Sequence, residues 1–524
     1  MIRSAADGTP GEELRRSDLD CADPGSSIPV TLRALLRGSL IYTLGSVIPR
    51  LGIFLLLPVY TLGMGAGEFG VFSLMLSLAG LLTIFFRLGL DGSLLRFHFL
   101  MPAGRVAALY WTTAALTAAA GVGLGLGGAV LVAPVFGNAF AGIPFLPYGA
   151  LAIAIGALTA FQFVPTSYFR ATERPELVFW LGVASFGAGA VATLVLVLGL
   201  HLGAVGGLIG QVVAGAAILA VAAAVLLRLR PAVFDGGLAR QDLAFGLPLI
   251  PHSIAGWVLN LSDRWLIGLF IGLTAAAAQA AVGIYSLGYQ IGQLVSLIGV
   301  AVNLAWMPFF YEHGERPEGP AILREMSSLS VGALAIVAVL AGVLAPEAIA
   351  ILAPKSWGPD AGLAASVVPL VAFAALIQGL YFMVASPIFL HRRTRTLPLL
   401  TIAAGAVNVG LNVVLIPRIG ILGAAWSTIA GYLTMLVLSF WYAGRSYPVT
   451  LDWGRMAALF AVAAAALLSA HALELQGLIA AGLLHLAIGV GFSLFVLALL
   501  RGPWKAARQL VRAGEPVAIS VPPG

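Results

Sequence analysis

Apolar residues fall along this chain in long unbroken blocks rather than in stripes of period 3.6 or 2. A block of ~20 residues is what a helix needs to cross a hydrocarbon layer ~30 Å thick. Such blocks recur at 39–62, 70–90, 107–134, 145–168, 177–200, 203–227, 245–272, 280–305, 328–346, 363–387, 397–417, 420–443, 454–472 and 477–500. Backbone groups in hydrocarbon need partners inside their own segment, so each block predicts a helix. The fold class expected is an all-α polytopic membrane protein of about fourteen spans, with both termini on one side.

Charge assigns that side. Arg33 and Arg37 precede the first span, Arg87, Arg96 and Arg105 end or follow the second, and Arg170, Arg174, Arg228, Arg230 and Arg240 follow the next two even-numbered spans. The same side then takes Arg316, Arg324, Arg392, Arg393, Arg445, Arg455, Arg501 and Lys505, while the opposite loops hold only Lys355 and Arg418. One missed helix would have inverted this alternation midway, so it supports both the span count and a cytoplasmic location for the two termini. A bacterial cytoplasmic (inner) membrane is the expected setting.

Composition narrows the class further. Hydrophobic residues make up 60% of the chain and charged ones 10%, against about 25% charge in soluble domains, which excludes a soluble fold. The net charge of +6 reflects loop topology and anionic headgroups, not nucleic-acid binding. Residues 1–38 begin with a polar, Gly-, Pro-, Asp- and Ser-containing stretch without a signal-peptide pattern, and read as a disordered cytoplasmic tail. Its Cys21 is the only cysteine, so neither a disulfide framework nor a thiolate metal site is expected.

Three stretches repeat in order. Ile48-Pro49-Arg50 matches Ile250-Pro251-His252, with Pro58 and Pro248 nearby; Phe69-Gly70-Val71-Phe72-Ser73-Leu74 matches Val282-Gly283-Ile284-Tyr285-Ser286-Leu287; and Gly203-Ala204-Val205-Gly206-Gly207 matches Gly420-Ile421-Leu422-Gly423-Ala424. Corresponding helices cross in the same direction, so a parallel pseudo-twofold along the membrane normal is expected to relate two six-helix lobes around a central cavity. The divisions are 39–231 for the first lobe, 232–445 for the second, 446–502 for two appended spans and 503–524 for a cytoplasmic tail. Pro49, Pro58, Pro248 and Pro251 are hinge candidates, because proline removes a helix hydrogen bond and permits bending.

The run Gly45 to Phe99, with Pro49-Arg50, Leu57-Pro58-Val59-Tyr60, Glu68-Phe69-Gly70 and Arg87-Leu88-Gly89-Leu90, resembles the opening of polysaccharide and oligosaccharide flippases (the O-antigen type) of the multidrug/oligosaccharidyl-lipid/polysaccharide exporter superfamily. Gly246-Leu247-Pro248, Ser262-Asp263-Arg264, Gly283-Ile284-Tyr285-Ser286, Pro308-Phe309-Phe310-Tyr311 and Asn412 through Gly423-Ala424-Ala425 extend the resemblance over roughly 38–445. It implies flipping of polyprenyl-diphosphate-linked oligosaccharides from the cytoplasmic to the outer leaflet by alternating access, for cell-surface polysaccharide synthesis. A polymerase or glycosyltransferases of the same pathway are the implied protein partners, and the chain is expected to be a monomer without a cofactor. The resemblance also implies that the appended pair could groove the prenyl tail; lipid-facing padding is the alternative.

Arg50 and Arg264 are the basic residues placed well inside spans, where an arginine costs ~2.5 kcal/mol or more on insertion scales. A guanidinium holds a diphosphate by bidentate, charge-assisted bonds, so both are candidates for an anionic headgroup site, with Arg87 and Arg96 at the cytoplasmic mouth. The alternatives are that Arg264 neutralises Asp263 and that Arg87 and Arg96 only set topology. Asp263 and His252 are candidate coupling or gating groups, although a salt bridge with Arg264 would account for Asp263 and one interhelical hydrogen bond for His252. Asn260, Tyr285, Tyr289, Gln290 and Gln293 are candidate sugar contacts, with interhelical bonding as their other use. Asn408 and Asn412, at i and i+4, are assigned to packing.

Other classes fit poorly. Neither Lys355 nor Lys505 lies in a GK[ST] context, and no HExxH or GxSxG motif occurs. The match to GxGxxG within 121–128 lies inside a span without a preceding strand and reads as close helix packing. A glycosyltransferase would need a larger extramembrane segment with paired carboxylates than 346–362 offers. A cation-coupled multidrug exporter or a peptidoglycan-precursor flippase of the same superfamily remain as alternatives.

Overall fold

The computed structural model describes residues 52 and 54–505, apart from 272–273, 317–318, 355–356, 391–395, 446 and 473–477. Among these, thirteen continuous or broken helices are long and apolar enough to cross a membrane, preceded by a shorter apolar helix, α1 (Phe54–Gly63). The thirteen expected spans from 70–90 onward each have a counterpart, and of the first, 39–62, α1 is the part that lies within the described residues. The second, seventh and eighth run on to Ala66–Leu100, Gly236–Phe270 and Ala275–His313. Hydropathy falls where charge begins, whereas helical hydrogen bonding carries on past the lipid boundary.

The second span is α2 (Ala66–Arg87) and α3 (Leu90–Leu100), and the third is α4 (Ala103–Val132) with a short extension. The fourth comprises α5 (Ala150–Ala160) and α6 (Phe163–Ala171), followed by α7 (Pro175–Thr193) and α8 (Gly203–Arg228). The seventh is α9 (Gly236–Gly246) and α10 (Ile250–Phe270), and the eighth α11 (Ala275–Gly292) and α12 (Leu294–His313). Then come α13 (Gly319–Val343), the short α14 (Ala345–Leu352), α15 (Leu363–Leu390), α16 (Leu397–Ile419), α17 (Ile421–Ala443), α18 (Trp453–Ala472) and α19 (Leu478–Leu499).

Packing sorts these helices into two groups. α2 lies against α5 and α8, and α8 against α7; in the second group α10 lies against α16, α11 against α15, and α17 packs on both α15 and α16. α2 meets α10 and α11 across the seam between the groups, and α9 crosses to α3 and α4. α18 and α19 pack on each other and on α13, outside the second group. Their outer face carries Leu483, Leu494 and Leu497, all exposed, as suits contact with lipid.

Breaks in the second and seventh spans stack on one another. Leu88 and Gly89 adopt left-handed conformations, φ 52 and 71°, and end α2. In the seventh span a tight 3-10 turn, Leu247–Leu249, contains Pro248, and Pro251 sits in the first turn of α10. Here proline costs no helix bond, since the first amide groups of a helix lack intrahelical partners anyway. A Cβ on Gly89 would overlap the Gly246 carbonyl, and one on Gly246 the Leu88 carbonyl, so the two backbones touch at their kinks.

The arginine-rich end is laced by ion pairs. Arg105 pairs with Asp235 at 2.5 Å, Arg324 with Asp452 at 2.9 Å, and Arg455 with Glu325 at 2.6 Å. Asp235 also caps α9, its Oδ1 accepting from the Gly237 and Leu238 N–H groups. These contacts bind α4 to the start of the seventh span and α13 to α18.

Candidate functional site

Two features stand out against the apolar background: the seam between the helix groups, and a buried polar cluster inside the second group. At the arginine-poor end of the seam α2 and α11 meet through glycine. A Cβ on Gly70 would overlap the Gln279 carbonyl and lie 2.9 Å from the Gly283 nitrogen; one on Gly283 would overlap the Ala66 carbonyl and lie 3.0 Å from the Gly70 nitrogen. Absence of side chains is what lets helix backbones approach so closely in a membrane. Gly70 and Gly283 are equivalent positions of the sequence repeat.

Hydrogen bonds reinforce this closure. Trp357, buried in the connection before α15, donates its indole Nε1–H to the Thr61 and Met64 carbonyls at 3.2 and 2.9 Å, while its ring packs on Phe69. Gln279 donates to the Ala141 carbonyl at 2.9 Å. Midway along the seam, Ser77 donates to the Leu261 carbonyl at 3.1 Å and its own carbonyl accepts from Trp257 at 2.9 Å.

In the second group a carboxylate is wrapped by neutral donors. Asp263, fully buried on α10, accepts from the Tyr285 hydroxyl at 2.6 Å, the Thr428 hydroxyl at 2.8 Å and the Asn412 amide at 3.0 Å. Asn412 also donates to Asn408 Oδ1 at 3.2 Å. A carboxylate only accepts when ionised, and hydroxyls and amides from α11, α16 and α17 provide the matching donors. One turn earlier, Asn260 accepts from the Tyr432 hydroxyl at 2.9 Å, which accepts from Gln378, itself bonded to Ser296.

The salt bridge expected between Asp263 and Arg264 does not form. Successive helical residues project about 100° apart, so the two neighbours face different partners. Arg264, 5% exposed, donates to the Asn260 carbonyl at 3.2 Å and lies over the Tyr289 ring at 4.5 Å. Tyr289 in turn accepts from Gln293 at 2.9 Å. Tyr285 and Tyr289 are thus enclosed within the second group. Asn408 and Asn412, assigned to packing, are fully buried, and the Asn412 amide packs through hydrogen bonds that complete the Asp263 shell. Thr428, Tyr432 and Gln378 are not singled out by the sequence, being scattered polar residues in apolar helices, whereas Asp263, Asn260, Tyr285 and the i, i+4 pair Asn408 and Asn412 are.

The remaining candidates are dispersed. Arg50 and Pro49 lie outside the described residues. Arg87, the last residue of α2, donates to the Thr159 carbonyl at 3.1 Å and reaches Gln162 at 3.5 Å, a cation placed at the C-terminal end of α5 where the helix dipole favours it. Arg96 is exposed on α3, 5.3 Å from the Phe245 ring centre. His252 is half-buried at the start of α10, and its Nδ1 has no partner among the described residues, nor does Gln290 Oε1. Pro58 is exposed within α1. Among the described residues no three His, Cys, Asp or Glu side chains cluster as a metal site would require.

Residues 35–313 match the family described as Polysaccharide biosynthesis protein. No curated protein sequence matches the chain. Among solved structures, the fold is similar to the lipid II flippase MurJ in an inward closed conformation, with a TM-score of 0.67 and 11% identity over 90% of this chain and 100% of that one. It is also similar to the Vibrio cholerae MATE transporter VcmN, with a TM-score of 0.51 and 13% identity over 80% and 98%. A MATE protein in complex with MaL6 gives 0.51 and 16% over 81% and 96%. At such identities the likeness establishes the architecture.

Proposed function

The chain belongs to the polysaccharide biosynthesis protein family, membrane transporters with the fold of the multidrug/oligosaccharidyl-lipid/polysaccharide exporter superfamily, and we propose that it flips polyprenyl-diphosphate-linked oligosaccharides between leaflets. The observation that carries this reading is the seam. The two helix groups meet at one end through glycine backbones, an apolar cluster that includes Phe69, Met75, Ile267 and Val282, and a few hydrogen bonds, which in membranes average ~0.6 kcal/mol each between helices. An interface of that kind separates while each group stays intact, which is what alternating access demands.

In this account the arginine-rich end is cytoplasmic, by the positive-inside rule. Arg96 and Arg87 receive the diphosphate from the inner leaflet and pass it to Arg50, the cation that the sequence places well inside the first span. Arg264 contributes positive potential from behind Tyr289 rather than by direct contact. The seam at Gly70 and Gly283 then parts, with the stacked breaks at Gly89 and Gly246 absorbing the rotation. Asp263 is the candidate coupling group: it ties α10 to α11, α16 and α17, so a change in its charge would alter the packing of four helices together. A membrane potential negative inside favours outward passage of an anionic headgroup by ~2.3 kcal/mol per charge per 100 mV.

The experiment is flipping of a fluorescent undecaprenyl-diphosphate oligosaccharide in proteoliposomes, with binding measured in nanodiscs. Saturable transfer in the native protein supports the reading. Transfer no faster than in protein-free vesicles, with the protein folded, contradicts it.

A further inference from the structure

A cavity of about 480 Å³ opens in the half of the protein nearer the arginine-poor end, and the carboxylate cluster and the arginines take no part in it. Leu78 and Leu82 of α2 form its floor, Gly125 and Gly128 of α4 make room on one side, and Trp265 and Leu269 of α10 form the other side. Phe136, Phe140 and Phe145 close its end, Phe140 meeting Trp265 edge to face at 4.9 Å. The walls therefore belong to both helix groups. At the rim, Leu124 and Leu269 are each 50% exposed on the surface of apolar spans, so the crevice is continuous with the face that meets lipid.

A cavity of this size is in the range that holds a ligand. Water needs two to four polar partners, which this lining does not provide, and an unfilled space forfeits the dispersion contacts of its walls. No charged group lines the crevice to select a headgroup, so occupancy follows mass action, and the hydrocarbon present in greatest excess is that of the bilayer. We propose that the crevice binds one acyl chain of a bilayer phospholipid from the adjoining leaflet, lodged between the two helix groups.

The test uses the full chain in nanodiscs containing phosphatidylglycerol with a diazirine in its acyl chain, and adducts are mapped by mass spectrometry. Adducts are expected on 124–153 and 265–269, falling roughly fivefold or more in Gly128→Leu, whose new side chain starts in open space, while labelling of α19 stays constant. If Gly128→Leu fails to fold, quenching by phospholipids brominated along the acyl chain, compared between the native protein and Trp265→Phe, reads the same site. Labelling no stronger than on α19, labelling indifferent to Gly128→Leu, or no loss of quenching in Trp265→Phe overturns the proposal. Preferential labelling by a diazirine-bearing polyprenyl phosphate at equal mole fraction overturns the assignment to phospholipid.

Discussion

Gly70 of α2 and Gly283 of α11, matched positions of an internal repeat, meet backbone to backbone where the two helix groups close at the arginine-poor end. Any side chain at either position must push the helices apart. Gly283→Val is therefore expected to abolish flipping and to open this end. With Cys21 replaced and a cysteine placed at the buried Ser73, a membrane-impermeant maleimide applied from that side should label the Gly283→Val protein and spare the parent. Equal labelling would show that the contact does not gate access.

Trp357 latches the same end through two backbone carbonyls. Trp357→Phe keeps the ring against Phe69 and loses both hydrogen bonds, at a cost of roughly 1 kcal/mol, about a fivefold shift toward the open arrangement. The Ser73 cysteine should then react severalfold faster. An unchanged rate would assign Trp357 to packing alone.

Asp263 differs in kind, because its partners are buried donors. Asp263→Ala leaves the Tyr285 hydroxyl and one N–H of Asn412 unpaired at roughly 1–3 kcal/mol each, while Thr428 falls back on the Ala424 carbonyl; Asp263→Asn keeps an acceptor and most of the shape. Thermal midpoints should fall in the order native, Asn, Ala. Transport by Asp263→Asn should also lose its dependence on pH or cation gradients if the carboxylate couples; retention of that dependence would remove Asp263 from the coupling role.

Two carboxylates outside the spans set an acid limit on stability. Asp235 is held below the usual carboxylate range by the Leu238 N–H and Arg105, and Asp452 by the Arg455 N–H and Arg324. A folded pKa below the unfolded value of ~3.9 stabilises the fold above that pH, and the contribution is lost as pH falls through the lower folded value. The thermal midpoint should hold from neutrality to about pH 5 and drop below about pH 4. In the double variant Asp235→Asn, Asp452→Asn the neutral-pH midpoint should be slightly lower and the acid drop shallower.

Sequence and structure agree where the information is local. Blocks of hydropathy marked every span, because each helix satisfies its own backbone, and the repeat aligned Gly70 with Gly283 before either had a partner. Information carried by chain reversal was hidden. Thr428 lies 165 residues from Asp263 and Trp357 lies 296 from Thr61, and nothing in their neighbourhoods announces a polar or gating role. Adjacency misled at Arg264, because neighbours on a helix face apart. The break at Leu88 was equally silent, since leucine rarely adopts a positive φ, and it lies where Gly89 meets Gly246.

The central claim is that an anionic lipid-linked oligosaccharide is held by a cation between the helix groups. Its most direct test is binding of undecaprenyl-diphosphate oligosaccharide to the protein in nanodiscs, comparing native, Arg50→Ala and Arg50→Lys forms. The account predicts saturable binding, lost by at least roughly tenfold in the alanine variant and partly restored by lysine, with thermal stability retained. Absence of binding to the native protein, or indifference to both substitutions, would contradict it.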